Sequence, residues 1–130
     1  MPERRPGVAG PNVSFGALIL TSQTIDVPRT AEVPRISVVI LHELEATLQK
    51  RRSSSPEESY TARLLADPTF NQRKIMEEAF EVCLELQANP IDPGRTAEEA
   101  ADVIYHLLVA LVGADVAVDD VFAVLEGRKK

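Results

Sequence analysis

The chain has 130 residues, 45% of them hydrophobic, with no tryptophan; that length suits one domain whose core is built from Leu, Val, Ile and Ala, a palette that favours packed helices over a sandwich. Twenty acidic against 14 basic side chains leave a net charge of −6, which removes the electrostatic basis for nucleic-acid binding and for a basic membrane-surface helix. No apolar run is long enough to cross a bilayer.

Residues 1–35 carry five of the nine prolines and show no sustained helical period. The stretch from Gly16 to Val27 reads as a strand or short hairpin, which is marginal in water by itself, so residues 1–35 are expected to form a weakly ordered, irregular N-terminal extension. Arg4 and Arg5 precede an apolar run, but Pro6, Gly10, Pro11 and Asn12 interrupt it, and Phe15 to Leu20 is short for a signal core. A cytoplasmic location is therefore expected. The lone cysteine, Cys83, fits a reducing compartment and, among apolar helical neighbours, reads as a small core residue.

Residues 36–130 are expected to be an all-α domain, a bundle of about four to five helices. Val38, Leu41, Leu44 and Leu48 recur at helical spacing and predict a first helix over about 37–52. Ser55-Pro56-Glu57-Glu58 has the form of a capping box and predicts the start of a short helix that runs through Leu64 and Leu65 to Asp67-Pro68. A third helix is expected from about Thr69 to Ala88. Asp92-Pro93-Gly94 reads as a turn, with Thr96 and Glu99 as the capping box of a fourth helix to about Val112. Its second half is apolar almost all round, which places it at the centre of the bundle. A last helix starts near Val118-Asp119-Asp120 and ends in a basic stretch, Arg128 to Lys130, that suits the helix dipole.

The informative feature is the placement of acids. Glu77, Glu78, Glu81 and Glu85 fall within an arc of about 100° on the third helix, with Ile75, Ala79, Val82, Cys83 and Leu86 on the opposite side and Lys74 as the one nearby cation. Glu98, Glu99, Asp102 and His106 share a similar arc of about 100° on the fourth. Such stripes taken singly are ordinary solvated faces. Asp102, however, lies in a run otherwise fit for burial, where a carboxylate is unfavourable unless paired or metal-bound. Carboxylates at i and i+3 on two helices suit a hard cation, magnesium with manganese as the alternative, and no Cys/His spacing points to zinc. Arg51, Arg52, Arg63, Arg73 and Lys74 lead into the acidic helix and are the side chains suited to a polyphosphate. Spacing alone thus leads to a helical protein that holds a divalent metal, or to a non-catalytic acidic helical interaction protein.

Four motifs in order resemble a known family. Leu44-Glu-Ala-Thr-Leu-Gln-Lys-Arg51 followed by Ser59-Tyr60-Thr61-Ala62-Arg63-Leu64-Leu65, then Lys74-Ile-Met-Glu77-Glu78-Ala79-Phe80-Glu81-Val82, then Glu99-Ala-Ala-Asp102-Val-Ile-Tyr105-His106-Leu-Leu-Val109, and a tail of Val118-Asp119-Asp120-Val121 with Leu125 and Arg128, are similar to the phosphoribosyl-ATP pyrophosphohydrolases of histidine biosynthesis. The wider group is the MazG-like all-α nucleoside triphosphate pyrophosphatases, marked by Glu-Glu-x-x-Glu and Glu-x-x-Asp, here Glu77-Glu78-x-x-Glu81 and Glu99-x-x-Asp102. The resemblance spans about residues 38–128. It implies that Glu78, Glu81, Glu99 and Asp102 hold magnesium, that the catalytic carboxylates are Glu77, Glu78 and Glu81, and that Arg51, Ser59, Tyr60, Thr61, Lys74 and His106 contact substrate. It further implies a homodimer and a magnesium-bound water that attacks the α–β phosphate linkage, giving phosphoribosyl-AMP and pyrophosphate. A house-cleaning nucleoside triphosphate pyrophosphatase is the neighbouring alternative, against which Ser59-Tyr60-Thr61 argues. Met76 and Pro68 stand where the family usually has glycine; the first is expected to narrow helix packing near the site, the second to alter the loop that enters it.

Overall fold

In the computed structural model, residues 36–129 are described, and they form five helices and no strand: α1 (Ile36–Arg51), α2 (Tyr60–Ala66), α3 (Pro68–Gln87), α4 (Pro93–Gly113) and α5 (Val118–Gly127). The all-α expectation holds. The strand or hairpin read over Gly16–Val27, and the extension as a whole, lie outside the described residues. Among the described residues no helix is long and apolar enough to cross a membrane.

The core joins four of the five helices. Leu44 and Leu48 of α1, Leu64 of α2, Tyr105, Leu108, Val109 and Val112 of α4, and Val118 of α5 form one buried cluster. The α4 residues recur at spacings of three and four, so the helix presents one continuous apolar stripe to its neighbours. Polar contacts tie α5 to α1: the Val118 amide donates to Glu45 Oε1 at 2.8 Å, and His42 Nε2 lies 2.6 Å from Asp119 Oδ1. The α4–α5 turn passes through Asp115, whose φ of 56° is left-handed. Asp tolerates that region better than most residues, and its carboxylate accepts from Arg52 Nη1 at 2.7 Å.

Two of the expected caps move. Ser55 does not open a helix; the segment from it is a turn in which the Glu58 and Ser59 amides donate to the Ser55 carbonyl. Ser59 is the N-cap of α2 and its Oγ accepts from the Ala62 amide at 3.3 Å. The reason is burial: Glu57 and Glu58 are exposed, whereas Thr61, Ala62 and Leu64 are inside, so the helix starts where it can pack. Similarly, α4 begins at Pro93, not Thr96. Asp92 caps it by accepting from the Gly94 and Arg95 amides, and the Thr96 hydroxyl donates back to the Asp92 carbonyl. Proline at the first helical position after an Asp cap is a favourable start. Pro68 has the same role behind Asp67, as the first residue of α3.

The larger correction concerns α3. Its apolar side does not enter the core: Cys83 is exposed, Met76 is 73% and Phe80 61% exposed, and Leu84 and Leu86 also face outward. The only buried residue of this 20-residue helix is Asn71. Yet α3 and α4 make the most extensive helix–helix contact among the described residues. The helix therefore packs with Glu78, Glu81 and Glu85 inward beside the half-buried Ile75 and Val82, and Met76 points away from the packing it was expected to narrow.

Candidate active site

The inward side of α3 meets the acidic side of α4. Glu78 is 12% exposed at its side chain, and Glu85 and Glu99 are nearly as covered. Carboxylate oxygens of Glu78, Glu99 and Asp102 all lie within 4.8 Å of one another. Helical winding explains the convergence: Glu99 and Asp102 are one turn apart on α4, and Glu78 opposes them from α3.

Such a cluster repels itself. The Glu99 carboxyl is held above its ordinary range, first by burial and then by the charges of Glu78, Asp102 and Glu81. Its position beside three other carboxylates carries excess negative charge in a half-buried place, which a divalent cation relieves. Oxygen-only ligands of this kind suit magnesium or manganese.

The remaining acids of the α3 stripe are allotted differently. Lys74 Nζ lies 2.8 Å from Glu78 and 3.2 Å from Glu77. Burial works to lower the lysine's pKa, but hydrogen bonds and charge from Glu78 and Glu77 outweigh it, and the ammonium is held above its ordinary value. Glu77 itself is largely exposed. Glu85 is tied by Arg95, whose Nε and Nη2 both reach Glu85 Oε1 at 3.0 Å while Nη2 lies 3.7 Å from Glu99. Glu81 does not join the close trio, though its charge acts on Glu99. The Arg95 clamp was not visible in the motif pattern, since an arginine ten residues from its partner in a loop-helix junction has no periodic signature.

A second set of expected site residues gathers beside the acids. His106 is buried, and its Nδ1 lies 2.8 Å from the Asp102 carbonyl. A carbonyl only accepts, so Nδ1 carries the proton. Burial lowers the ring's pKa against the opposing pull of the Asp102 carbonyl and Glu78. The ring is thus favoured neutral, and Nε2 accepts from the Tyr60 hydroxyl at 3.2 Å. Tyr60 also stacks with Tyr105, with ring centroids 6.4 Å apart. Thr61 is fully buried and its hydroxyl is 2.8 Å from that of Tyr105. Ser59 is occupied as the α2 cap. Arg51, at the end of α1, is half-buried, and its charge bears on Tyr105. Of the six residues expected to contact substrate, Tyr60 and Lys74 are half-buried near Glu78, Arg51 is half-buried at the end of α1, and Thr61 and His106 are inside.

Comparison with known proteins identifies the family. The family model of phosphoribosyl-ATP pyrophosphohydrolase matches residues 41–129. A phosphoribosyl-ATP pyrophosphatase of Cereibacter sphaeroides is 44% identical over 93 residues, which cover 71% of this chain and 88% of the relative. One from a Ruegeria species is 42% identical over 93 residues, 71% of this chain and 87% of its own length. A Caulobacter enzyme of the same name is 39% identical over 90 residues, 69% of this chain and 82% of the relative. The matched span takes in all five helices except the first turn of α1, and with it every acid of the cluster. The chain belongs to the phosphoribosyl-ATP pyrophosphohydrolase family.

Proposed function

We infer that this protein hydrolyses phosphoribosyl-ATP to phosphoribosyl-AMP and pyrophosphate, the second step of histidine biosynthesis, with residues 36–130 as the catalytic domain. The observation that carries the reading is the inward turn of α3, which brings Glu78 against Glu99 and Asp102. Lys74 and Arg95 offset part of the negative charge where the two acidic sides meet, and a divalent cation among Glu78, Glu99 and Asp102 would offset the rest. That geometry also disfavours a merely solvated acidic face.

The donor set fits magnesium. Glu78, Glu99 and Asp102 would hold it, with Glu81 as the further ligand that the family motif suggests; manganese meets the same requirement. When bound, the ion supplies charge neutralisation for the triphosphate and activation of the attacking water. The chain's own residues do the rest. Lys74, kept protonated beside Glu78, offers its ammonium to the phosphate chain, and Arg51 adds a guanidinium from α1. Tyr60 is oriented by His106 and Tyr105 to line the substrate side, while Ser59 and Thr61 place it, the one by capping α2 and the other by its bond to Tyr105. Glu77, Glu78 and Glu81 are the carboxylates available to take the proton from the attacking water.

The decisive experiment measures pyrophosphate release from phosphoribosyl-ATP and from ordinary nucleoside triphosphates as magnesium is titrated. Magnesium-dependent release from phosphoribosyl-ATP, with little from the others, is expected. Release only from the ordinary triphosphates would move the protein to a house-cleaning activity; metal-independent release would remove the acidic cluster from the reaction.

A homodimer is part of the same proposal. The outward stripe of Met76, Phe80 and Leu84 on α3, with Ile104 and Leu107 on α4, is an apolar surface that a monomer leaves in water. A second copy of the chain is its fitting cover. Sedimentation is expected to give a dimer, and Phe80→Glu to shift it to monomer; a monomeric wild type would sink the assignment. The cytoplasm is the proposed compartment, in keeping with the lone cysteine.

A further inference from the structure

Asn71 holds the one buried side-chain atom among the described residues that lacks a hydrogen-bond partner, its Oδ1. The residue is 2% exposed and lies one turn before Lys74 and two before Glu78 on α3. Its Nδ2 donates to the His106 carbonyl of α4 at 3.1 Å. That carbonyl lies inside a helix and already accepts from the amide four residues on, so the bond rescues no orphan. Turning the amide over does not help, because Oδ1 would then face the carbonyl and both donors would be stranded. An unpaired buried amide oxygen is more unfavourable than a bond to an already engaged carbonyl is favourable. On stability alone, leucine, with the same count and branching of side-chain heavy atoms and no polar group to satisfy, suits the position better.

What stability does not favour, position does. The helix that carries Glu78 contributes no apolar side chain to the buried core, and Asn71 is its only buried residue. Apolar contacts tolerate sliding; a hydrogen bond is directional and fixes an offset. The bond lands on His106, whose ring in turn reaches the Asp102 carbonyl at 2.8 Å and the Tyr60 hydroxyl at 3.2 Å. An unbroken series of contacts thus runs from α3 through His106 to the peptide of one proposed metal ligand and to Tyr60 on α2.

We propose that Asn71 is a positioning residue that sets the register of α3 on α4 through the His106 carbonyl, and thereby the separation of Glu78 from Glu99 and Asp102. This rests on the reading of those carboxylates as a magnesium site.

The test compares Asn71→Leu and Asn71→Ala with wild type in three measurements: melting temperature in chelator, magnesium affinity by calorimetry without substrate, and kcat and KM for phosphoribosyl-ATP. The Leu variant is expected to melt at or above the wild-type temperature. Its magnesium affinity should fall about tenfold or more and its kcat about 10- to 100-fold, the range seen when a group that orients metal ligands is lost. The Ala variant should show the same losses of affinity and kcat. Wild-type magnesium affinity and kcat in whichever variant folds would overturn the proposal, as would a lowered melting temperature with kcat per folded molecule unchanged. Failure of the wild type itself to bind magnesium would instead strike at the metal site.

Discussion

Replacing Asp102 with Asn is expected to lower kcat for phosphoribosyl-ATP by at least about a hundred-fold while the helical fold survives. Loss of an outer partner of a metal ligand already reduces affinity or activity by about 10- to 100-fold, and Asp102 is proposed as a ligand itself. The substitution keeps the side chain's shape and removes its charge. It also relieves the repulsion that, together with burial, holds the Glu99 carboxyl high. The metal-free variant should therefore melt no lower than wild type, and its melting temperature should respond less to magnesium, since an ion that binds only the folded state stabilises it by mass action. Circular dichroism and steady-state kinetics check both halves. Turnover within tenfold of wild type would exclude Asp102 from the site.

The largest loss of stability is expected in the apolar core, in Leu48→Ala. Leu48 is fully buried against a cluster drawn from α1, α2, α4 and α5, and truncation of such a leucine costs about 2–5 kcal/mol because the cavity refills only in part. In a domain of this size each kcal/mol shifts the melting temperature by about 4–8 °C. The acidic cluster lies between α3 and α4, outside this part of the core, so kcat measured well below the transition should change little. A melting temperature within about 4 °C of wild type would show that the site collapses readily or that the core is less closely packed than described.

These two substitutions also mark what could be read from the sequence. The number and order of the helices followed from periodicity, because α1 and α4 each bury one stripe and the repeats at Leu44–Leu48 and Leu108–Val112 show it. Glu78, Glu99 and Asp102 were marked by their motifs, and they converge. Helix starts were less secure where two capping residues compete: Ser55, although Pro56 follows it, lost to Ser59, whose next turn packs inside, and Thr96 lost to Asp92, behind which Pro93 presets the first turn. Cys83 was misplaced for a different reason. Pattern reading takes the apolar side of a helix as the buried side, and α3 reverses that, with charge inward and Met76, Phe80 and Cys83 outward. Asn71 was invisible because a single polar residue in a helix has no period. Its weight comes only from being the sole buried residue there.

The reversed packing of α3 has a consequence for how the protein opens. A helix held by apolar burial separates from its neighbours only at a large fraction of the global unfolding free energy, whereas one held by a few polar contacts can open as a local unit. By that measure α3 belongs to the labile end of the isolated subunit, although it is one of the two longest helices among the described residues, and the proposed second copy would add the apolar cover it lacks. If the proposed ion bridges α3 and α4, the amide protons of α3 report its concentration directly. The segment that carries the chemistry then becomes a ligand-dependent foldon, closed in the cation's presence and exchanging with solvent in its absence.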